Sequence, residues 1–177
     1  MKPARSRSPR RPTRSISPAD SARARADLDA FIAKFTPEIG ALVRSVISAT
    51  RARLRGGFEL VYDNYYALVV GYGPTARPSE AIFSIVARPK HVSLCFLQGV
   101  RLVKAGGDPK QLLAGGGHQV RNLRIGSAAL LRRRDVRALI TRAVAMSKVR
   151  FDQTKPITTV VRMQAARQWP RRPGVAS

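Results

Sequence analysis

The fold is decided by residues 58–97, which read FELVYDNYYALVVGYGPTARPSEAIFSIVARPKHVSLCFL. Aromatic and β-branched residues fill four short runs in this stretch, and such runs between turn signals are typical of β-strands. The runs cover residues 58–62, 66–72, 81–87 and 91–97. Because their connections are too short to hold crossover helices, the spacing predicts an antiparallel meander.

Helical periodicity surrounds this block. Apolar residues at i, i+3, i+4 and i+7 predict one helix over residues 21–35 and a second that begins at the Thr36 cap and ends before Gly56. The remaining predicted elements are a single helical turn at 109–113, a fifth strand at 119–125 and a last helix at 135–148. Together they predict an α+β domain over residues 20–151, with an antiparallel sheet of about five strands packed against N-terminal and C-terminal helices.

The charge of the chain predicts polyanionic partners. Its 177 residues carry a net charge of +23, from 33 Lys and Arg against 10 Asp and Glu. A GC-rich coding sequence, which favours arginine, is the alternative explanation. The flanks are the most basic parts, since residues 1–26 hold eight basic and one acidic side chain, and residues 150–177 hold six and one. We expect a disordered basic arm at 1–19 and a mostly disordered basic arm at 152–177.

Several motifs in the middle of the chain resemble a proteobacterial branch of the YdhG-like domain family. The motifs are FELVYDNY from Phe58, VGYGP from Val70, VSLCFLQG from Val92, and a run with Asp108-Pro109, Leu112-Leu113, Gly115, Gly117, Arg121 and Arg124. The similarity covers about residues 25–149. It implies a bacterial α+β domain with an antiparallel sheet. Some members are described as frataxin-like intracellular iron chaperones, so the resemblance also implies iron handling as an alternative function.

The chain departs from the family pattern in ways that weaken the iron hypothesis. Residues 104–107 look like extra loop, and residues 131–134 are basic where relatives tend to approach the last helix with acidic residues. Iron is a hard cation that carboxylates bind. The carboxylates of the strand-and-loop region do not cluster in sequence: Glu59, Asp63, Glu80 and Asp108. We therefore predict no metal site.

Two segments are candidates for binding a small anionic ligand. The first is a glycine-rich loop with the basic residues after it: Gly115, Gly117, His118, Arg121 and Arg124. Its backbone N–H groups can point at an anion, although a plain turn explains the glycines equally. The second is Tyr62, Asp63, Asn64 and Tyr65. These residues are typical either of an aromatic cleft with polar anchors or of a hairpin turn, and ligand binding requires a cleft between the two segments.

Arginine pairs and triplets are candidates for polyanion binding: Arg10, Arg11, Arg132, Arg133 and Arg134. Cations at a helix start are unfavourable by about 0.3–1 kcal/mol each at low salt. An anionic partner would relieve that cost, whereas simple tolerance at an exposed site is the alternative. Non-specific nucleic-acid binding through the basic arms is accordingly an alternative function.

Catalytic motifs are missing from the sequence. It contains no Gly-x-Ser-x-Gly, no His-x-x-x-His and no Cys-x-x-Cys, and Cys95 lies mid-strand as a buried, inert thiol would. No apolar run approaches the roughly 18 residues of a membrane span. We expect a cytoplasmic, non-enzymatic protein that needs no cofactor, contacts no membrane and binds a small anionic ligand or a metal-linked partner.

Overall fold

The computed structural model describes residues 16–172, which form four α-helices and six β-strands. The helices are α1 (Pro18–Ile32), α2 (Pro37–Arg53), α3 (Gly99–Lys104) and α4 (Arg134–Ala145). The strands are β1 (Phe58–Asp63), β2 (Leu68–Gly73), β3 (Phe83–Arg88), β4 (His91–Phe96), β5 (Arg121–Ile125) and β6 (Thr158–Gln164). Short 3-10 turns cover Pro78–Glu80 and Ala128–Arg132. The predicted α+β class is confirmed.

Helices α1 and α2 begin where a side chain accepts a free backbone amide. Ser17 Oγ accepts from the Asp20 amide at 3.1 Å, and the Asp20 carboxylate accepts from the Ser17 amide at 3.2 Å, which is a capping box. Helix α1 therefore starts at Pro18, inside the segment predicted to be a disordered arm. Thr36 caps α2 by accepting from the Ile39 amide at 3.4 Å, as predicted.

The sheet is mixed rather than wholly antiparallel. Its strand order is β5-β4-β3-β2-β1-β6, and every neighbouring pair is antiparallel except β1 and β6, which run parallel. The predicted meander is correct for β1 to β5, but the prediction of about five strands missed β6. A parallel β6 needs the long return through α4, so short-range hairpin signals cannot reveal it.

The boundary predicted at residue 151 is wrong for the same reason. Strand β6 pairs with β1 over Phe58 to Asp63, and Arg171 is buried farther along the chain. The folded part therefore extends to at least Arg172, and a mostly disordered arm from 152 onward is not what the described residues form. The apolar run at 157–163 indicates a short extended piece, but nothing local to that run shows that it pairs with β1 as part of the sheet.

Helices α1, α2 and α4 cover one face of the sheet. A register row across five strands lies on this face: Val61, Val70, Ile85, Leu94 and Leu123. Ile32, Val46 and Leu139 come from the helices, and all three are almost completely buried. The burial of these residues drives the packing of the two layers. Within residues 16–172, none of the helices is both long enough and apolar enough to cross a bilayer.

The segment before β5 differs from the prediction. The Asp108 carboxylate accepts hydrogen bonds from the amides of Leu112 and Leu113, at 2.8 Å each. Residues 109–110 form a turn and residues 111–113 are irregular, so the predicted helical turn at 109–113 is wrong. The extra helix is α3, which was not predicted because six residues are too few to show a helical period.

Candidate functional site

Glu59 is fully buried on the helix-covered face of β1, where three side chains make four hydrogen bonds to its carboxylate. Arg51 donates to both of its carboxylate oxygens, from Nη2 to Oε1 at 2.6 Å and from Nε to Oε2 at 3.0 Å. The Tyr72 hydroxyl donates to Oε2 at 2.8 Å, and Thr159 Oγ1 donates to Oε1 at 3.0 Å. Every acceptor position is occupied by the protein itself, so Glu59 holds α2, β2 and β6 against β1.

Asp63, at the end of β1, is also fully buried. Lys34 Nζ and Gln168 Nε2 donate to its Oδ2 at 2.6 and 2.5 Å, and Arg171 Nη2 lies 2.5 Å from its Oδ1. The hypothesis that Asp63 anchors a ligand is therefore wrong, because α1 and the segment after β6 surround its carboxylate. No local pattern indicates these partners, because they lie 29 and more than 100 residues from Asp63 in the chain.

The two candidate ligand-binding segments do not meet. Residues 62–65 belong to the end of β1 and its turn, whereas residues 115–124 lead into and form β5, at the edge of the sheet. Four strand spacings of about 4.8 Å separate β1 from β5, about 19 Å in all. Tyr62 and Asp63 also point to opposite faces of β1. The predicted cleft is absent from the part of the chain that the structure describes.

The carbonyl groups of the glycine-rich loop accept hydrogen bonds from Arg121, the arginine that follows the loop. Arg121 Nη1 donates to the carbonyl oxygens of Gly117 and Val120, at 2.6 and 2.8 Å. The loop thus offers carbonyl groups to a cation, the opposite of the predicted anion cradle. Arg124 stands opposite Ser93 of β4 and, three residues after Arg121, lies on the other face of β5. Exposed His118 lies near α3, beside Arg101 and Lys104.

The most basic feature of the described surface lies between α2 and α4. Two adjoining clefts, of 600 and 910 Å³, share Arg53, Arg132, Arg137 and Thr141 as lining residues. We call them together the arginine groove. Six arginines line it: Arg53, Arg55, Arg132, Arg134, Arg137 and Arg142. No carboxylate among residues 16–172 lines either cleft, and none of the six forms an ion pair there.

Hydrogen bonds to neutral groups hold the walls of the groove together. Arg53 Nη2 donates to the Arg137 carbonyl at 2.9 Å and to Thr141 Oγ1 at 2.6 Å, which ties the end of α2 to α4. Arg142 Nη1 donates to the Gly106 carbonyl at 2.9 Å. Burial, and then the charge of Arg137, lower the pKa of Arg53. The arginines of the groove therefore repel one another, and no carboxylate of the described residues lines either cleft to offset that repulsion.

The arginine triplet divides between two environments. Arg132 and Arg134 line the groove, but Arg133 turns away and pairs with Asp135, with Nη2 2.6 Å from Oδ2. Arg10 and Arg11 lie outside the described residues. Sequence reasoning missed four members of the groove: Arg53, Arg55, Arg137 and Arg142. Arg137 and Arg142 lie on the polar side of the strongly amphipathic α4, a signal that could have indicated them.

A smaller and more enclosed cavity of about 240 Å³ opens between α4, α3 and the start of β3. Its walls are mainly apolar, from Ile82, Phe96, Leu102, Ala143 and Met146. Glu80, Gln98 and Lys148 add polar groups. The Glu80 carboxylate already accepts hydrogen bonds from Thr75 Oγ1 and from Arg77 Nη1, the latter at 3.2 Å. Lys148 is thus the cationic group that the cavity offers to a ligand.

The carboxylates weighed for iron each have a local structural partner. Glu59 and Asp63 form the buried networks described above, Asp108 caps a turn, and Glu80 binds its neighbours. Among residues 16–172, no three His, Cys, Asp or Glu side chains are grouped so that they could hold a metal ion. The Cys95 thiol is half-buried, and burial raises its pKa to about 11.

Comparisons with known proteins identified no relative of this chain. Protein-family models, curated proteins and solved structures were each searched, and none of the three searches returned a match to this chain.

Proposed function

We propose that this protein binds the phosphate backbone of nucleic acids, without sequence preference, through the arginine groove. One observation carries the proposal, namely six arginines around adjoining clefts that no described carboxylate lines. Guanidinium groups bind phosphate oxygens in a bidentate manner, which makes arginine the side chain best suited to this ligand. The proposed activity is binding rather than catalysis.

Electrostatics favours an anionic partner at this place. The lowered pKa of Arg53 reflects burial and the repulsion from Arg137, and a bound phosphate would offset both effects. The net charge of +23 attracts polyanions to the whole molecule and accelerates their association. Contacts to phosphates carry no sequence information, so binding is expected to be sequence-independent and to weaken steeply as salt rises.

The test is a salt titration of fluorescently labelled duplex DNA, followed by anisotropy. In the variant Arg132→Gln/Arg137→Gln two exposed groove cations are lost, whereas Arg53 and its hydrogen bonds to α4 remain. We expect weaker binding to every sequence, and a log–log salt slope that is shallower by about 2. The matched control, Arg88→Gln/Lys90→Gln, removes the same charge at the exposed β3–β4 turn.

The control variant is expected to bind nearly as tightly as the natural chain. Equal losses in the two variants would show that only overall charge matters, and would overturn the assignment to the groove. Absence of binding to the natural chain at low salt would overturn nucleic-acid binding altogether.

A second candidate function is the binding of a small ligand in the 240 Å³ cavity. Its apolar walls and Lys148 favour a molecule with a hydrocarbon or aromatic body and one carboxylate. Small aryl and alkyl carboxylates should then raise the melting temperature of the natural chain. The substitution Ala143→Met, which fills the cavity, should abolish that rise. This second candidate agrees with the predicted small anionic ligand, but it places that ligand in the 240 Å³ cavity rather than at residues 62–65 and 115–124.

Membership of the YdhG-like family, and with it the iron-chaperone alternative, is a further proposal that depends on the sequence motifs. Its test is independent of the groove. Ferrous iron is added anaerobically to the purified protein, and metal is measured after gel filtration. Iron retained in stoichiometric amount would support this alternative, and loss of all iron would overturn it.

A further inference from the structure

Three aromatic side chains form an exposed cluster at the opposite end of α2 from the arginine groove. Tyr65 and Tyr66 follow β1, and Trp169 follows β6. The ring centroids lie 4.5 Å apart for Tyr65 and Tyr66, 6.4 Å for Tyr65 and Trp169, and 6.1 Å for Tyr66 and Trp169. Tyr66 is 61% exposed and Trp169 is 54% exposed. We call these three residues the aromatic platform.

Rings of this size usually contribute to a core, so two of them in contact on the surface indicate a binding role. Although the three rings contact one another, Tyr66 and Trp169 each keep more than half of their surface accessible to solvent. Unpaired nucleobases stack on exposed aromatic rings with little dependence on sequence, because every base has a π-face. The exposed basic residues Arg167 and Arg172 flank Trp169 in the chain, which suits a ligand that also carries phosphates.

The platform is held rigidly from both sides of Trp169. The Trp169 amide donates to the Tyr65 carbonyl at 2.9 Å, which joins the two segments directly. Next to it, Gln168 donates to Asp63, and the buried Arg171 donates to the Asn64 carbonyl at 2.8 Å. Because the rings are already positioned, stacking a base on them costs little conformational entropy.

The platform and the groove lie at the two ends of one helix. Arg172 Nε donates to the Phe35 carbonyl at 2.8 Å, which places the segment after Trp169 beside the start of α2, whereas Arg53 ends that helix. The 17 residues of α2 span about 25 Å at a rise of about 1.5 Å each. A strand that reaches both ends would cover about seven nucleotides at about 3.4 Å each.

We propose that the aromatic platform stacks unpaired bases of single-stranded nucleic acid. The proposal depends on the function proposed above and narrows its substrate class: the groove holds phosphates of any nucleic acid, and the platform adds affinity only for single strands. A duplex cannot use the platform, because its bases are stacked on one another.

The single tryptophan of the chain is the probe for this test. An oligothymidylate of about 12 nucleotides is added at low salt, and Trp169 emission is followed together with the anisotropy of a labelled copy. We expect quenching over the same concentration range as binding. A duplex of equal length should bind through the groove without quenching.

Two variants separate stacking from charge. Tyr66→Ala removes an exposed ring, and we expect it to weaken single-strand binding by about 5- to 100-fold while duplex binding stays unchanged. Tyr66→Phe, the matched control, keeps the ring and should bind like the natural chain. Both variants should melt at nearly the natural temperature, since the Tyr66 side chain is mostly exposed.

The outcomes distinguish the two proposals. Salt-dependent binding of single strands without quenching, and unaffected by Tyr66→Ala, would overturn the platform and leave the groove intact. Quenching that Tyr66→Ala abolishes but Arg132→Gln/Arg137→Gln does not alter would support the platform and overturn the groove. Absence of any binding would overturn both.

Discussion

At the scale of single residues, the strongest constraint is the pair of buried carboxylates on β1. Glu59 and Asp63 are four residues apart, so they lie on the same face of the strand, beneath the helices. A buried carboxylate is costly unless charged and polar partners surround it. The fold provides these partners from the end of α1, from α2, β2 and β6, and from the segment after β6. Both acids therefore hold several elements of the fold together.

Neutralising Glu59 is expected to destabilise the fold. The substitution Glu59→Gln keeps the shape of the side chain but leaves the half-buried Arg51 without its counter-charge, and the amide offers the surrounding donors one acceptor instead of two. We expect the free energy of unfolding to fall by about 2–4 kcal/mol in urea titrations. Glu80→Gln, at a more exposed ion pair, should have a much smaller effect. Equal effects would contradict the structural role of Glu59.

The Cys95 thiol is expected to be unreactive and to give a pH-dependent contribution to stability. Burial raises its pKa to about 11 in the folded protein, compared with about 8.5 in an unfolded chain. The neutral thiol is therefore favoured by folding, so its contribution is complete below about pH 8.5 and is lost as pH rises toward 11. At pH 8 iodoacetamide should alkylate the native protein about 200-fold more slowly than the urea-unfolded chain, because the thiolate fraction is smaller by that factor. Similar rates in the two states would contradict this prediction.

At the scale of elements, the turn between α2 and β1 is the tightest junction. Gly56 has a φ of +77°, and a Cβ there would lie 1.8 Å from the Asp152 carbonyl oxygen. This junction therefore fixes the segment after α4 against the end of α2, next to the arginine groove. The glycine-rich loop before β5 differs, because a Cβ at Gly116 would meet nothing within 4 Å.

These two glycines form a matched pair for substitution. Gly56→Ala should lower the free energy of unfolding by about 2–3 kcal/mol or more, because the left-handed backbone is strained for alanine and the new methyl group meets backbone. Gly116→Ala should change it by about 0.5 kcal/mol or less. Chemical denaturation of both variants gives the measurement. Similar losses would show that the junction is looser than the structure implies.

At the scale of the whole molecule, the net charge of +23 opposes folding as well as attracting polyanions. Repulsion among like charges destabilises a compact state, and salt screens it, since the Debye length shortens from about 30 Å at about 0.01 M to about 8 Å at about 0.15 M. The groove concentrates this repulsion, because six arginines share adjoining clefts.

We therefore expect the melting temperature to rise as sodium chloride increases from about 0.01 to about 0.3 M. The variant Arg132→Gln/Arg137→Gln should melt higher than the natural chain at low salt, and the difference should shrink at high salt. Differential scanning calorimetry checks both trends. A melting temperature that falls with salt, or a variant less stable than the natural chain, would contradict the proposed repulsion.

Local patterns in the sequence determined the two capped helices, the meander from β1 to β5 and the α+β class, because periodicity and turn residues are short-range properties. Tertiary structure alone decided the rest. Tertiary structure brings together residues far apart in the chain in three places: the parallel pairing of β6, the partners of Glu59 and Asp63, and the meeting of Arg53 with Arg132 and Arg137. It also separates residues 62–65 from residues 115–124. Contacts of this kind arise from burial and pairing across layers, which a reading of neighbouring residues does not contain.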